Sequence, residues 1–386
     1  MSREASQTPI SEKKKYRHRK LTRNQYMLIK AALSEPGFML MKELASQLDK
    51  NYISLVRSAR SLVLGRDYLG LRISPYRAGL DRYLVIFRLK EGSEKKSALE
   101  VAMNLPHNHW VKSITINTNP MGEVRIFYLI PIGEDINKIV EKIYYTDLVD
   151  KDEKISVYKM NLTYYQVLDL DKFYSDQRKG PMSLKEVLSI IEKEELLEPD
   201  MSELEDMEPK PPPDFIDVML MSLLEVKYVF SPKWLSKGGP LRIGIKSARY
   251  HYFRHIRDKY VLGAYVKRPL DPNADLSYSY IIRGGETLKL GYTLSRTPYA
   301  YVLCDPLNVC LINFWIRSED LKLVEEFMNS YNVRIVKQAQ RVVLREEAEG
   351  RIIRSLRVGF PAHCYAIKGR RWYTLKEAEE NIIKNI

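Results

Sequence analysis

The chain has 386 residues, of which 45% are apolar and 29% charged, and a formal net charge of +13. That length exceeds one ordinary core and implies two to four domains of about 100 to 200 residues each, and no run approaches the ~20 uninterrupted apolar residues of a membrane span. Three cysteines, Cys304, Cys310 and Cys364, lack C-x-x-C spacing; they argue against a disulfide framework or a structural zinc site and are expected to be buried thiols.

Residues 1–20 hold seven Lys or Arg and two Glu with no apolar run behind them. This is expected to be a disordered basic arm on a cytoplasmic protein, with Lys13, Lys14, Lys15, Arg17, Arg19 and Lys20 available to phosphates. The spacing in LTRNQYMLIKAALSE predicts a helix with Tyr26, Ile29, Ala32 and Leu33 inward, ended by Pro36-Gly37. MKELASQL predicts a second helix with Leu44, Ala45 and Leu48 inward. A third is capped by Asp49 or Asn51, carries Ile53, Val56, Ala59 and Val63 at helical intervals, and ends at Gly65. YLGLRI and RYLVIFRL, joined by SPYRAGLD, read as a hairpin and complete a winged helix-turn-helix over residues 21–81.

Over residues 82–170 the order is strand, helix, strand, strand, helix, strand, a βαββαβ ferredoxin-like sandwich. Residues 171–213 read as a helix, SLKEVLSIIEKEELL, followed by an acidic linker closed by Pro211 to Pro213. Met182 to Asp214 holds eleven acidic and three basic residues; without it the remaining 353 residues carry +21, a field suited to a polyanion. The element order then repeats. DFIDVMLMSLLEV, the shortened SPKWLSKGG and LRIGIKSARYHYFRHIRDK are the helices of a second winged unit over residues 214–276. Residues 277–386 form a second ferredoxin-like domain with a C-terminal helix. The two third helices share VRSAR at Val56–Arg60 and IKSAR at Ile245–Arg249, with Val56, Ala59 and Val63, and Ile245, Ala248 and Tyr252, expected inward. The fold class is therefore α+β: two tandem units, each a winged helix-turn-helix followed by a ferredoxin-like domain.

With LGLRISPYRAGLDRYLVIFRL leading from the first recognition helix into the following domain, the chain resembles the Lrp/AsnC (feast/famine) transcription regulators, as a tandem duplication of archaeal type. Such regulators pair through their ferredoxin-like domains, so the resemblance implies pairing within this chain or between chains. Two fused units and an abbreviated second helix depart from the family pattern. Amino-acid effectors are common in the family, but no stretch here specifies an effector.

The reading implies double-stranded DNA as partner, with no membrane and no cofactor. In the first unit Asn51, Tyr52, Ser54, Arg57, Ser58 and Arg60 are the candidate contacts, with Arg72 and Arg77, and Arg82 beside them, in the wing. In the second they are Arg242, Lys246, Ser247, Arg249, Tyr250 and Arg254. Arg57 is the favoured base reader, because a guanidinium fork binds guanine bidentately. His107 with His109, and His251 with His255, lack an adjacent carboxylate at ligand spacing, so no metal is expected. No phosphate-binding glycine motif or nucleophile with a base is found, and the chain is expected not to be an enzyme. Non-specific, architectural or single-stranded RNA binding, a nucleic-acid-processing enzyme whose carboxylates converge only in three dimensions, and a pure assembly role stay open as alternatives.

Overall fold

The computed structural model describes residues 21–65, 69–161, 168–175, 180–199, 208–226, 228–236, 243–267, 271, 273–305, 307–342, 355–358 and 360–383. The basic arm, with Lys13, Lys14, Lys15, Arg17, Arg19 and Lys20, lies outside them, as does Arg242.

The first helix, α1 (Arg23–Ser34), opens on a reciprocal capping box between Thr22 and Gln25, and buries Tyr26, Leu28, Ile29 and Ala32. It is followed by α2 (Met41–Gln47) and α3 (Tyr52–Arg60), the latter capped by Asn51, whose side chain accepts from the amides of Ile53 and Ser54. Ala59 and Val63 face inward as expected, but Leu55, four residues before Ala59, takes the buried place expected for Ile53, which is 65% exposed.

Strand β1 (Leu69–Ile73) is buried along its whole length. The expected wing hairpin with β2 (Leu80–Arg88) does not form, because β2 is recruited as an inner strand of the first ferredoxin-like sheet. That sheet is completed by β3 (Val111–Thr118), β4 (Met121–Pro131) and β5 (Ser156–Lys159), in the order β3-β4-β2-β5. Two helices, α4 (Ala98–Met103) and α5 (Asn137–Tyr144), cross between the strands. Next comes α6 (Leu184–Lys193), capped by Ser183 and Glu186.

In the second unit, α7 (Phe215–Val226), the four-residue α8 (Lys233–Ser236) and α9 (Ile245–His251) repeat the three helices. A wider π-type turn, Tyr252–Ile256, and a helical turn, Arg257–Tyr260, lead into β6 (Val261–Val266). The partner of β1 is β6: the two run antiparallel from Leu69 opposite Val266 to Ile73 opposite Val261. The winged units are thus joined by a ribbon made of one strand from each, with α1 against β6 and α7 against β1. They share one hydrophobic core, in which Ile29, Leu55, Val218, Tyr252 and Ala264 are all buried.

The second ferredoxin-like sheet comprises β7 (Leu276–Arg283), β8 (Ala300–Asp305), β9 (Val309–Ile316) and β10 (Arg334–Val342), ordered β8-β9-β7-β10, with α10 (Thr287–Ser295) and α11 (Leu321–Asn329) as its helices. The strand order equals that of the first sheet, so the expected fold class holds. Strand alternation builds two layers of core. Val85 and Phe87 face the first unit's helices, whereas Leu84 and Ile86 meet Ile281, Leu303 and Leu311 of the second sheet. Polar groups also bridge the sheets: Arg125 donates to Ser279 Oγ at 2.6 Å, and Asn119 and Gln340 exchange backbone hydrogen bonds.

Each ferredoxin-like domain is completed by a segment from the other half. Leu184, Val187, Leu188 and Ile191 of α6, which the sequence places at the start of a linker, pack among Tyr278, Tyr299 and Phe327 of the second domain. Reciprocally, β11 (Ser355–Arg357) adds to the first sheet beside β3, and Phe360, Trp372 and Leu375 enter the first core, carrying α12 (Leu375–Ile383) with them. Trp372 donates from Nε1 to the Ala78 carbonyl at 2.6 Å.

Cys304 and Cys310 are joined by a disulfide, correcting the expectation of free thiols; they lie directly opposite each other across the β8–β9 hairpin with Cα atoms 4.1 Å apart. Six residues of separation hide this in the sequence, where only the register of the hairpin makes the two neighbours. Cys364 is a buried free thiol. No helix among the described residues is long and apolar enough to cross a membrane.

Candidate nucleic-acid interface

Burial of Leu55 and Ala59 turns the opposite side of α3 outward, leaving Asn51, Tyr52, Ser54, Arg57 and Arg60 exposed and Ser58 half-buried. On α9, burial of Ala248, and of Tyr252 just after it, leaves Lys246, Arg249 and Tyr250 exposed, with Arg254 in the following turn and Ser247 half-buried. Ile245, expected inward, is 41% exposed at the helix start. Neither helix contains a carboxylate, so each presents cations without an internal counter-charge.

The two helices approach one another's units. Arg60, at the end of α3, has its guanidinium 5.9 Å from the ring centre of Trp234 on α8. Arg249 and Phe253 line a cleft of about 1060 Å³ together with Arg23, Tyr26 and Lys30 of α1 and Glu43 and Gln47 of α2. The loop after α1 is clamped into the second unit: Tyr252 Oη donates to the Pro36 carbonyl at 2.5 Å, and Gly37 N donates to Tyr228 Oη at 2.9 Å. Met39 N reaches the Phe230 carbonyl at 2.8 Å.

Some sequence candidates are committed elsewhere. Ser54 Oγ accepts from Asn24 at 3.2 Å, and the Asn51 side chain is engaged as the helix cap. Arg72 is 5% exposed, its guanidinium held between Tyr265 and Tyr301 at 5.2 and 5.0 Å from the ring centres. Arg77 and Arg82 are buried too. With β1 inside the inter-unit ribbon there is no wing for these three arginines to decorate, and their proposed DNA contacts are withdrawn.

Both histidine pairs acquire carboxylates that the sequence reading missed. His107 Nδ1 lies 3.2 Å from Glu379 of α12, but the Lys142 ammonium, 3.1 Å from His107 Nε2 and 2.8 Å from Glu379, occupies the position a metal cation would take. His251 and His255 meet Asp214 and Asp217 at the start of α7, with His251 Nδ1 2.8 Å from Asp217 Oδ1. His251 is buried on that side and does not face outward with the cations. The i, i+3 aspartates and i, i+4 histidines were both legible in the sequence; their meeting was not.

No family model matches the chain, and no curated protein matches it. Among solved structures, the siroheme decarboxylase NirDL is similar over 93% of this chain and 99% of its own, at 11% identity and a TM-score of 0.47. PH0061 is similar over 37% of this chain and 95% of its own, at 19% identity and a TM-score of 0.28. A structure described as a transcriptional regulator covers 41% of this chain at 17% identity, with 97% of its own length and a TM-score of 0.29. The fold is α+β, with two winged-helix and ferredoxin-like units in tandem. The expectation that the chain is not an enzyme is corrected: an enzyme, the siroheme decarboxylase NirDL, is among the solved structures similar to it.

Proposed function

We propose that the chain is a double-stranded DNA-binding transcription regulator that offers α3 and α9 as a fixed pair of recognition helices. The observation that carries this reading is the pairing of β1 with β6, which couples two helices whose outward sides hold Arg57, Arg60, Lys246 and Arg249 and no acid, with Arg254 in the turn after α9. Recognition helices present their early residues to base edges while flanking cations hold phosphates. Arg57 reads a base, and Lys246 and Arg254 hold the backbone.

The test is selection from a random double-stranded DNA pool at two salt concentrations, with Arg57→Ala and Lys246→Ala beside the wild type. One enriched motif is expected, with two unlike halves because α3 and α9 differ. Arg57→Ala relaxes one position, at about 1–3 kcal/mol of discrimination. Lys246→Ala lowers affinity for all sequences and reduces the salt slope by about one unit. Equal binding of every sequence, or preference for single strands, overturns the proposal.

A further inference from the structure

Behind the outward side of α9, two carboxylates and two imidazoles converge. Asp214 and Asp217 stand at the start of α7, His251 ends α9, and His255 lies one turn on in the π-type turn, a helical irregularity often found at functional sites. One donor atom from each of the four lies within 4.8 Å of all the others. We infer that Asp214, Asp217, His251 and His255 bind a divalent first-row transition ion of the zinc class.

Three observations carry the inference. First, the spacing fits. His251 Nδ1 is 2.8 Å from Asp217 Oδ1 and 3.6 Å from Asp214 Oδ2, and His255 Nδ1 is 3.3 Å from Asp217 Oδ2 and 3.7 Å from Asp214 Oδ2. Tetrahedral zinc with bonds of about 2.0–2.2 Å sets its ligand atoms about 3.3–3.6 Å apart, so the four separations straddle what an ion would draw together.

Second, the carboxylates are held in place before any ion arrives. Asp217 N donates to Asp214 Oδ1 at 2.9 Å and Asp214 N donates to Asp217 Oδ2 at 3.0 Å, which leaves Asp214 Oδ2 turned to both rings and Asp217 Oδ1 to His251, while Asp217 Oδ2 also faces His255. The Tyr260 and Tyr365 hydroxyls donate to the carbonyls of Pro211 and Pro213, fixing the segment that delivers Asp214. Outer hydrogen bonds of this kind orient ligands and raise metal affinity.

Third, the charge and donor type fit. Asp217 is 3% exposed, and two carboxylates balance one divalent cation. Imidazole selects zinc, iron, nickel or copper over magnesium and calcium. A site with all four ligands from protein is structural in type; here it ties the start of α7 to the end of α9 and pins the second recognition helix.

The experiment uses the full chain after treatment with a chelator, and does not depend on DNA binding. Zinc is titrated and measured by equilibrium dialysis with elemental analysis, and cobalt(II) is added in parallel. One zinc per chain is expected, together with the intense visible absorption of tetrahedral cobalt. His255→Gln, at a half-buried position, is expected to lower zinc affinity at least 100-fold with its far-ultraviolet circular dichroism unchanged, and Asp217→Asn is the second variant. Should a variant misfold, the cobalt spectrum of the wild type still decides. No zinc retained at micromolar concentration, an octahedral cobalt spectrum, or zinc binding unchanged in a folded His255→Gln would each overturn the site.

Discussion

Substituting Gly37 by Ala tests whether the two winged units are clamped together at the loop after α1. Gly37 has φ of +101°, and a Cβ there would lie 1.7 Å from Tyr252 Oη and 2.1 Å from its Cζ. Ordinary contact begins at about 3.4 Å, so the ring must withdraw by roughly half that distance from a fully buried place, where Phe38 packs at 4.6 Å between ring centres. Left-handed backbone in a non-glycine residue costs about 1–3 kcal/mol, and loss of the Tyr252 bond to the Pro36 carbonyl adds about 1 kcal/mol or more. With displacement of the ring itself, the total is about 3 kcal/mol or above. Unfolding entropy of about 2.1 cal/mol/K per residue gives the whole chain about 0.8 kcal/mol/K, so Tm falls by about 4 °C if the chain unfolds together, and by more if the winged pair unfolds first. Differential scanning calorimetry of Gly37→Ala, alone and in a Tyr252→Ala background, measures this. The drop is expected to shrink by at least 1 kcal/mol in the double variant. An unchanged Tm in the single variant, or full additivity, would refute the clamp.

Two further outcomes follow from buried charge. Burial, with His107 and His363 nearby, pushes His109 down to about 4. The unfolded chain therefore takes up that proton first: the stability contributed is complete above about pH 6.5 and lost as pH falls towards 4. Tm measured from pH 8 to 5 is expected to decline, and less so in His109→Gln; superimposable profiles for the two proteins would sink the assignment. Lys112 on β3 and Glu225 on α7 form a buried ion pair joining the first sheet to the second winged unit. Lys112→Met is expected to cost about 3–5 kcal/mol by urea unfolding, because it strands a buried carboxylate, and Lys112→Met with Glu225→Met to recover most of it. A single variant as stable as the wild type contradicts that role.

Local elements were legible in the sequence because each rests on a short-range signal. Asn51 before α3 reads as a cap, the alternation of RYLVIFRL reads as a strand, and four residues of SPKWLSKGG suffice only for the stub that α8 is. Partners were not legible where they depend on distant residues. Leu69–Ile73 has the composition of a strand whichever strand it pairs with, so the adjacent β2 was the natural choice and β6 could not be seen. Arg72 reads as a surface cation because its cover, Tyr265 and Tyr301, comes from the other half of the chain. D-x-x-D at Asp214 and H-x-x-x-H at His251 each look incomplete alone; only the packing of α7 on α9 makes them one cluster.

The prolines at 211–213 suggest a hinge between independent halves, yet the contacts around them oppose hinging. The Tyr260 and Tyr365 hydroxyls hold Pro211 and Pro213 from opposite ends of the second half, and Lys210 N donates to the Arg77 carbonyl of the first. Cutting there would strip the second ferredoxin-like domain of Leu184, Val187, Leu188 and Ile191, and the first of Phe360, Trp372 and Leu375. Exchange of this kind fixes the relative position of two halves that differ in sequence. In a homodimer, identical surfaces impose two-fold symmetry on whatever is bound. Here α3 starts from an Asn51 cap while α9 starts from Gly244 with no side-chain cap, and among the described residues only the second has an Asp and His cluster behind it. Because they belong to one chain, α3 and α9 can therefore differ in surface and in support, and the reciprocal packing of α6 and α12 holds the two units together despite that difference.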